Sequence, residues 1–407
     1  MKKEKSPKKQ TWIKMRHRIV TEILRMILTP YSRIKYGIRV ERFREQEKRP
    51  YLILMNHQTP FDQFFVGMAF RGPVYYLATE DIFSNGWVSS LIRYLAAPIP
   101  IKKQTMDVKA VMACLRVARE GGTIAIAPEG NRTYSGRTEY MSPAIAPLAR
   151  KMKMPIALYR LEGGYGVQPR WSDVVRRGKM RGYVSRVIMP EEYEAMSDDE
   201  LFDAIQKELY VNEAVCDRAF YHKKSAEYLE RLVYVCPFCG LSEFESHGQT
   251  VRCKRCNRAV RYLPSKELSG EGFEFPHRFV ADWYDAQEEY VNALDPVALG
   301  VNALYCDSGE LSEVIPYQKK RRVDKNADVW LFFDRIEVGY GAERAVWRFD
   351  DASAVTVLGR NKLNVYHGDR IWQIKGGKRF NAVKYVHLYH RYRNACKGDL
   401  DAKFLGL

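Results

Sequence analysis

Short apolar segments alternate with helical segments between residues 51 and 159. Four of the segments are almost entirely apolar: Tyr51–Met55, Val74–Ala78, Thr123–Ala127 and Pro155–Tyr159. Such runs are typical of strands that are buried on both faces of a sheet. Between them, helical periodicity is clearest from Asp107 to Glu120, and Gly121 ends that pattern. The alternation predicts an α/β fold with a mainly parallel sheet flanked by helices.

The two most polar turns of this region follow the first and third apolar segments. In the first turn, His57 and Asp62 are five residues apart, a spacing that lets the carboxylate reach one imidazole nitrogen. A carboxylate in that position fixes the tautomer and leaves the other nitrogen free as a base. Because ligands of parallel sheets bind at the carboxyl ends of strands, we expect this pair in the functional site.

Cations that suit a phosphate follow the neighbouring strands. In the second polar turn, Gly130 frees the backbone and Arg132 offers a forked pair of N–H donors. Lys102 and Lys103 follow another short strand, Pro98–Ile101, and can reach the same pocket. Each cation alone fits an ordinary surface position, but three at adjacent strand ends predict a pocket for a phosphorylated ligand.

These residues resemble the glycerolipid acyltransferases, the superfamily of the lysophosphatidate and glycerol-3-phosphate acyltransferases. Asn56-His57 with Asp62 resembles the His-x4-Asp block of that family. Pro128–Thr133 resembles its Pro-Glu-Gly-Thr-Arg-Ser block, in the right order and at a suitable separation. The resemblance covers roughly residues 20–210, and it implies that His57 and Asp62 are catalytic. It also implies that the substrate is bound by Lys102, Lys103, Glu129, Gly130 and Arg132.

The reaction that the resemblance implies is direct acyl transfer. His57 takes the proton of an acceptor hydroxyl, the oxygen attacks an acyl thioester, and coenzyme A or acyl carrier protein leaves. The favoured acceptor is a lysophospholipid, 1-acyl-glycerol-3-phosphate, which gives phosphatidate. Glycerol-3-phosphate or another alcohol stays open as acceptor, because lysine stands where the family places a phosphate-binding arginine.

Four of the eight cysteines fall within 21 residues as two Cys-x-x-Cys pairs. They are Cys236, Cys239, Cys253 and Cys256. Four thiolates at this spacing suit a closed tetrahedral Zn²⁺ site. A disulfide framework is not expected, because cations interrupt the apolar stretch that a secretory signal would need. We expect a structural zinc ribbon, with His247 at the surface and not among the ligands.

Positive charge is concentrated at the start of the chain. The formal net charge is +17, and residues 1–50 hold 16 Lys/Arg against five Asp/Glu. Apolar residues at helical spacing between these cations predict a basic amphipathic helix: Trp12, Met15, Ile19, Ile23, Met26 and Ile27. The helix favours an anionic membrane surface over nucleic acid as partner, with a peripheral, cytoplasmic location on the inner face of the cell membrane. An ordinary first helix packed on the core is the alternative. No apolar run is long enough to predict a spanning helix.

The last hundred residues change to strand-like periodicity with about six or seven short strands and a closing helix. This pattern is similar to pleckstrin-homology and GRAM domains, and the basic loop Lys319–Arg322 suits lipid head groups or plain solvent. The predicted organisation is an N-terminal basic region (1–50), an acyltransferase-like domain with trailing helices, one of them over 214–232 (51–232), a zinc ribbon (233–263), a connecting helix (264–300) and a pleckstrin-homology-like β domain (301–407). The zinc ribbon and the C-terminal β domain leave two other functions open. The protein is then a membrane-associated adaptor, or a zinc-ribbon protein that binds nucleic acid or a partner.

Overall fold

The first sheet of the protein contains seven strands. The computed structural model describes residues 11–45, 47, 49–84, 86–101, 108–215, 218–295, 301–315 and 318–399. The strands are β1 (Ile38–Val40), β2 (Leu52–Met55), β3 (Val74–Thr79), β4 (Ile99–Ile101), β5 (Thr123–Ile126), β6 (Ile156–Glu162) and β7 (Met180–Ile188). Their order is β1-β7-β6-β2-β5-β3-β4, and every neighbouring pair is parallel except β6 with β7. The predicted mainly parallel α/β sheet is confirmed.

Helices cover both faces of this sheet. They are α1 (Met15–Tyr36), α2 (Asp62–Ala69), α3 (Trp87–Ala96), α4 (Val108–Arg119), α5 (Ile145–Met152), α6 (Gly164–Val167), α7 (Pro190–Glu194) and α8 (Asp198–Leu209). Alternate residues of β2 enter two different cores: Leu52 and Leu54 pack with the side chains of α4, α5 and α8. Ile53 and Met55 pack with those of α2 on the other face. Burial on both faces explains why β2 is an unbroken apolar run.

The helix predicted over residues 214–232 is wrong. The described part of that range is irregular apart from one 3₁₀ turn, Leu229–Arg231. Tyr228 has a φ of +75°, a left-handed conformation that an α-helix cannot include. The apolar residues that suggested a helix, Leu229 and Leu232 among them, are instead buried against the elements that follow.

A small antiparallel segment with the four clustered cysteines comes next, and we call residues 235–270 the cysteine ribbon. Its strands are β8 (Val235–Cys236), β9 (Gly240–Leu241), β10 (Phe244–His247), β11 (Thr250–Cys253), β12 (Ala259–Tyr262) and β13 (Leu268–Gly270). β8 pairs with β9, and β10 to β13 form a second sheet. Helix α9 (Val280–Asn292) follows, so the predicted connecting helix occupies only the later part of its range.

Seven antiparallel strands and a closing helix form the part that we call the C-terminal β domain, residues 305–396. The strands are β14 (Tyr305–Glu313), β15 (Arg321–Leu331), β16 (Arg335–Tyr340), β17 (Glu343–Arg348), β18 (Ala352–Leu358), β19 (Lys362–His367) and β20 (Arg370–Gly376). The order is β17-β16-β15-β14-β20-β19-β18, and helix α10 (Val383–Cys396) packs on β18 and α9. The predicted β-rich C-terminal part closed by a helix is confirmed.

Helix α1 makes polar contacts with strand β3 and helix α2 and has an apolar face that is exposed. His17 is buried and bonds the hydroxyl of Tyr75 at 3.0 Å, and Arg25 donates to the carbonyl of Gly67 at 3.0 Å. Met26 and Ile34 are 70% and 87% exposed. Within the part of the chain that the structure describes, no helix has the length and apolarity needed to cross a membrane.

Candidate active site

The turn after β2 is fixed to the neighbouring strand β6. Asn56 donates from Nδ2 to the carbonyl of Leu161 at 2.8 Å, and its Oδ1 accepts the Leu161 N–H at 2.7 Å. The buried side-chain amide of Asn56 therefore forms the two hydrogen bonds that a backbone pair would form between strands, just beyond the end of β2. It sets the direction in which the chain leaves the sheet, and so the position of His57.

His57 and Asp62 are brought together as the spacing predicted. His57 Nδ1 lies 2.7 Å from Asp62 Oδ2. Asp62, at the start of α2, is fully buried, whereas about a quarter of the His57 side chain is exposed. The ring can therefore keep Nδ1 on the carboxylate and present Nε2 to a ligand.

Several donors of the turn converge on the Asp62 carboxylate. Oδ2 accepts the N–H of Gln58 at 2.7 Å and that of Thr59 at 3.0 Å. Oδ1 accepts the Thr59 hydroxyl at 2.6 Å. These bonds fix the orientation of the carboxylate within the turn. Asp62 thus shapes the turn and at the same time holds the imidazole.

Glu129 joins the second polar turn to the first. It is buried after β5, and its Oε1 accepts the N–H of His57 at 2.9 Å. Its Oε2 accepts the N–H of Glu139, also at 2.9 Å. Burial raises the pKa of Glu129 to about 8, and these two N–H donors oppose that shift. Both oxygens accept backbone N–H groups, so the carboxylate positions the backbone of His57. The predicted substrate contact of Glu129 stays a prediction.

Gly130 and Arg132 complete this turn. Gly130 has a φ of +65°, where a side chain would be strained. The Arg132 Nη1 is buried and has no hydrogen-bond partner among the described residues. Burial, with the nearby guanidinium groups of Arg170 and Arg360, lowers the pKa of Arg132 to about 9. A guanidinium held without an acidic partner favours an incoming anion.

The two predicted lysines cannot be placed in the site. Lys102 and Lys103 lie outside the described residues. The strand before them, β4, is present and pairs in parallel with β3. Their proposed contact with a phosphate stays a prediction.

Some residues that the sequence did not indicate support the two turns of the site through hydrogen bonds. The Glu139 carboxylate accepts from the hydroxyls of Thr133 and Ser135 at 3.1 and 3.2 Å. Gln58 Oε1 accepts the N–H of Gly164 at 2.8 Å, and Gln168 is buried near Arg132. Polar residues in loops carry no periodicity, so no pattern in one sequence marks them. The partners of Glu139 lie in its own loop, whereas Gln58 reaches Gly164, which is distant in the chain.

A comparison with models of protein families shows which family the segment around this site is similar to. Residues 37–158 match the model of the family described as Acyltransferase. This segment is therefore similar to acyltransferases, and we call it the acyltransferase domain. It contains both polar turns, and the predicted resemblance to an acyltransferase family is confirmed for it.

Several solved structures are also similar to this chain. The crystal structure of the 1-acyl-sn-glycerophosphate (LPA) acyltransferase PlsC from Thermotoga maritima is similar to this chain with 16% sequence identity and a TM-score of 0.40. The match covers 47% of this chain and 79% of that one. The comparison with curated proteins gives no match. The family match over the acyltransferase domain therefore carries the assignment.

The four cysteines outside the acyltransferase domain converge on one point. Their Sγ atoms all lie within 4.8 Å of one another, with 3.7 Å between Cys236 and Cys256 and 3.6 Å between Cys239 and Cys253. Four sulfurs around one Zn²⁺ at 2.3 Å would be about 3.8 Å apart. The donor set and the spacing fit a tetrahedral metal site. His247 lies apart from it, exposed and bonded to Glu245 at 2.8 Å.

Proposed function

We propose that the protein transfers an acyl group from an acyl thioester to the free hydroxyl of a lysophospholipid. The observation that carries this proposal is the contact between His57 Nδ1 and Asp62 Oδ2 at 2.7 Å. This contact lies at the carboxyl end of the central strand β2, within the acyltransferase domain. The chain that leaves the neighbouring parallel strand β5 leads to Arg132. The favoured acceptor is 1-acyl-glycerol-3-phosphate, which would give phosphatidate. The donor would be acyl-CoA or acyl carrier protein.

The chemistry needs one base that also returns a proton. His57 Nε2 takes the proton of the acceptor hydroxyl while Asp62 stabilises the resulting imidazolium. The acceptor oxygen bonds to the thioester carbonyl carbon, and the carbon–sulfur bond breaks. The imidazolium then gives its proton to the departing thiolate. Arg132 holds the anionic part of the acceptor during these steps.

A His57→Ala variant tests the proposal. Purified protein, labelled acyl-CoA or acyl carrier protein and a panel of lysolipid acceptors are combined, and the lipid products are resolved. We expect His57→Ala to lower kcat by about 10²–10⁴-fold without change in the unfolding temperature. Turnover at the wild-type rate in this variant would remove the catalytic assignment.

The cysteine ribbon is proposed to hold a structural Zn²⁺. Closed four-thiolate sites stabilise a fold and leave no position for a substrate. Cations of the ribbon have acidic neighbours in the fold: Lys254 bonds Glu243 at 3.0 Å, and Arg261 lies 3.7 Å from Glu271. This local pairing favours a structural role over nucleic-acid binding.

The outer face of α1 is proposed to lie on an anionic membrane. Helix α3 packs against α1 and also has exposed apolar residues, of which Trp87 is 77% exposed. Exposed cations, Arg18 and Arg33 among them, flank this surface. Apolar side chains would enter the acyl boundary while the cations meet lipid phosphates. The enzyme would then work peripherally, on the cytoplasmic face of the cell membrane, where lysolipid acceptors reside.

A further inference from the structure

A cavity of about 630 Å³ lies between the acyltransferase domain and the C-terminal β domain. On one side it is lined by Tyr36 and by Pro60 and Phe61, which belong to the turn between His57 and Asp62. On the other side it is lined by residues 359–361, the turn between β18 and β19, and by Lys378. Its volume is in the range of sites for small organic ligands.

The lining of this cavity is strongly basic. Among the described residues that line it, one is acidic, Asp173, and five are cationic: Lys35, Arg132, Arg231, Arg360 and Lys378. The cations come from α1, from the acyltransferase domain, from the segment before the cysteine ribbon and from the C-terminal β domain. Such a concentration of one charge in a concave site attracts anions.

Two buried polar atoms in the cavity have no partner among the described residues. They are Nη1 of Arg132 and Oε1 of Gln168, whose side chain is 5% exposed. Buried polar groups are normally hydrogen-bonded, so these two atoms offer hydrogen bonds to a ligand or a water molecule. The Gln168 amide can also turn its NH₂ group toward an acceptor oxygen, since the two orientations are equivalent in shape.

The C-terminal β domain is held in place at this cavity by polar contacts. Asp173 accepts from Arg360 Nη1 at 2.8 Å and from both terminal nitrogens of Arg231 at 2.9 Å. Arg170 donates to the carbonyl of Val357 at 3.4 Å and to that of Arg132 at 2.9 Å. Arg231 is fully committed to a bidentate pair, but Arg360 uses one nitrogen on Asp173. Its other donors have no partner within the described ranges and can therefore meet a ligand in the cavity.

We propose that this cavity binds the phosphate of the acceptor, with Arg132 and the C-terminal β domain's Arg360 as its two forked donors. The proposal rests on the proposed function and extends it: the C-terminal β domain becomes part of the acceptor site. It would select acceptors that carry a phosphate over phosphate-free ones. The turn of residues 359–361 would reach the headgroup while His57 acts on the hydroxyl.

The experiment compares Arg360→Ala, Arg360→Lys and the control Arg348→Ala in the full chain. Arg348 is an exposed arginine of the same domain, with its nearest carboxylate oxygen, from Asp334, 3.9 Å away. Calorimetric titration gives the Kd of a short-chain 1-acyl-glycerol-3-phosphate, of glycerol-3-phosphate and of inorganic phosphate. Turnover gives kcat/KM for the same lysophosphatidate and for the monoacylglycerol of equal chain length.

In Arg360→Ala we expect the Kd of the lysophosphatidate to rise roughly 10- to 100-fold, the loss of one charge-assisted contact. The ratio of kcat/KM between the phosphorylated and the phosphate-free acceptor should fall by the same factor. Arg360→Lys keeps the charge without the fork and should recover part of the loss, and Arg348→Ala should match the wild type. A Kd shift for inorganic phosphate alone, without one for the lysophosphatidate, would assign the cavity to free phosphate and overturn the proposal.

Two other outcomes would also overturn it. An unchanged Kd in Arg360→Ala removes Arg360 from the site, and an equal loss with both acceptors reduces it to a structural link with Asp173. The proposed function fails separately, through full turnover in His57→Ala. The titrations do not depend on turnover, so they decide the role of the cavity in either case.

Discussion

Among the single residues, Asp62 has two tasks: it orders the turn after β2 and it holds the imidazole of His57. Its Oδ1 serves the turn alone, through Thr59, whereas Oδ2 serves both the turn and the imidazole of His57. Replacing the acid by its amide keeps the size but removes the charge. The amide also has only one acceptor oxygen for several donors.

Asp62→Asn should therefore lower kcat by about 10²–10⁴-fold, because the imidazolium loses its counter-charge and the tautomer is no longer fixed. The KM for the acceptor should change little, since Asp62 does not line the cavity around Arg132. Steady-state kinetics on the purified variant measure both constants. Asp199→Asn, an exposed acid of α8, is the control, and a kcat close to that of the wild type in Asp62→Asn would contradict the pairing as a catalytic device.

Among the helices and strands, the sequence pattern predicted those elements whose apolar residues are needed for burial. The strands β2, β3 and β5 and the helix α4 were predicted within two residues of their ends, because both faces of the sheet need apolar residues. Strand β7 was not predicted. Its side chains are mostly half-buried and alternate poorly, and its antiparallel pairing with β6 is long-range.

The candidate site divides in the same way. His57, Asp62, Glu129 and Arg132 could be found because they are chemically distinctive and close in sequence to strand ends. Gln168 and Arg360 could not, because their roles depend on neighbours that are distant in the chain. Glu139 could not, because its bonds lie within one loop that has no periodic pattern. Arg360 in particular is an ordinary hairpin residue until the C-terminal β domain packs beside Asp173.

The cysteine ribbon makes a prediction at this scale. Its core is shared with α9, where Trp283 packs on Phe244 and donates from its ring N–H to the carbonyl of Val235 at 2.8 Å. Because structural Zn²⁺ contributes about 10–16 kcal/mol to small ribbons, chelation should unfold the ribbon and destabilise α9 with it. Elemental analysis should find one zinc per chain, and thermal unfolding should move to lower temperature in Cys239→Ser.

Cys306→Ser is the control for that experiment, since Cys306 is an exposed free thiol of β14. It should keep both the zinc and the unfolding temperature of the wild type. Zinc-free protein that unfolds at the same temperature with and without chelator would disprove the metal site.

In the complete fold, the cysteine ribbon, helix α9 and the C-terminal β domain share one hydrophobic core. The core that contains Trp171, after β6, continues through the ribbon and α9 into the C-terminal β domain. His387 of α10 lies inside it and bonds the hydroxyls of Tyr234 and Tyr284 at 2.8 and 2.9 Å. A continuous core of this kind fixes the orientation of the β domain, which the shared cavity at Arg360 requires.

The same arrangement sets how the molecule would approach a bilayer. Helix α1 supplies Lys35 to the cavity and, on its outer side, the exposed residues Met26 and Ile27. Membrane binding through that face would therefore bring the mouth of the acceptor site near the lipid phosphates. The double variant Met26→Ser/Ile27→Ser should weaken binding to vesicles that contain phosphatidylglycerol by roughly tenfold or more, because about two apolar side chains no longer enter the lipid.

Sedimentation with vesicles measures this, and Val346→Ser, an exposed apolar residue of β17, is the matched control. Wild-type binding should weaken as salt rises and in vesicles of phosphatidylcholine alone, because the cations of α1 contribute through charge. The variant should also lose activity on vesicle-borne lysophosphatidate while keeping it on a water-soluble short-chain acceptor, since the catalytic pair is untouched. Equal binding of the double variant and the wild type would place the membrane contact elsewhere on the molecule.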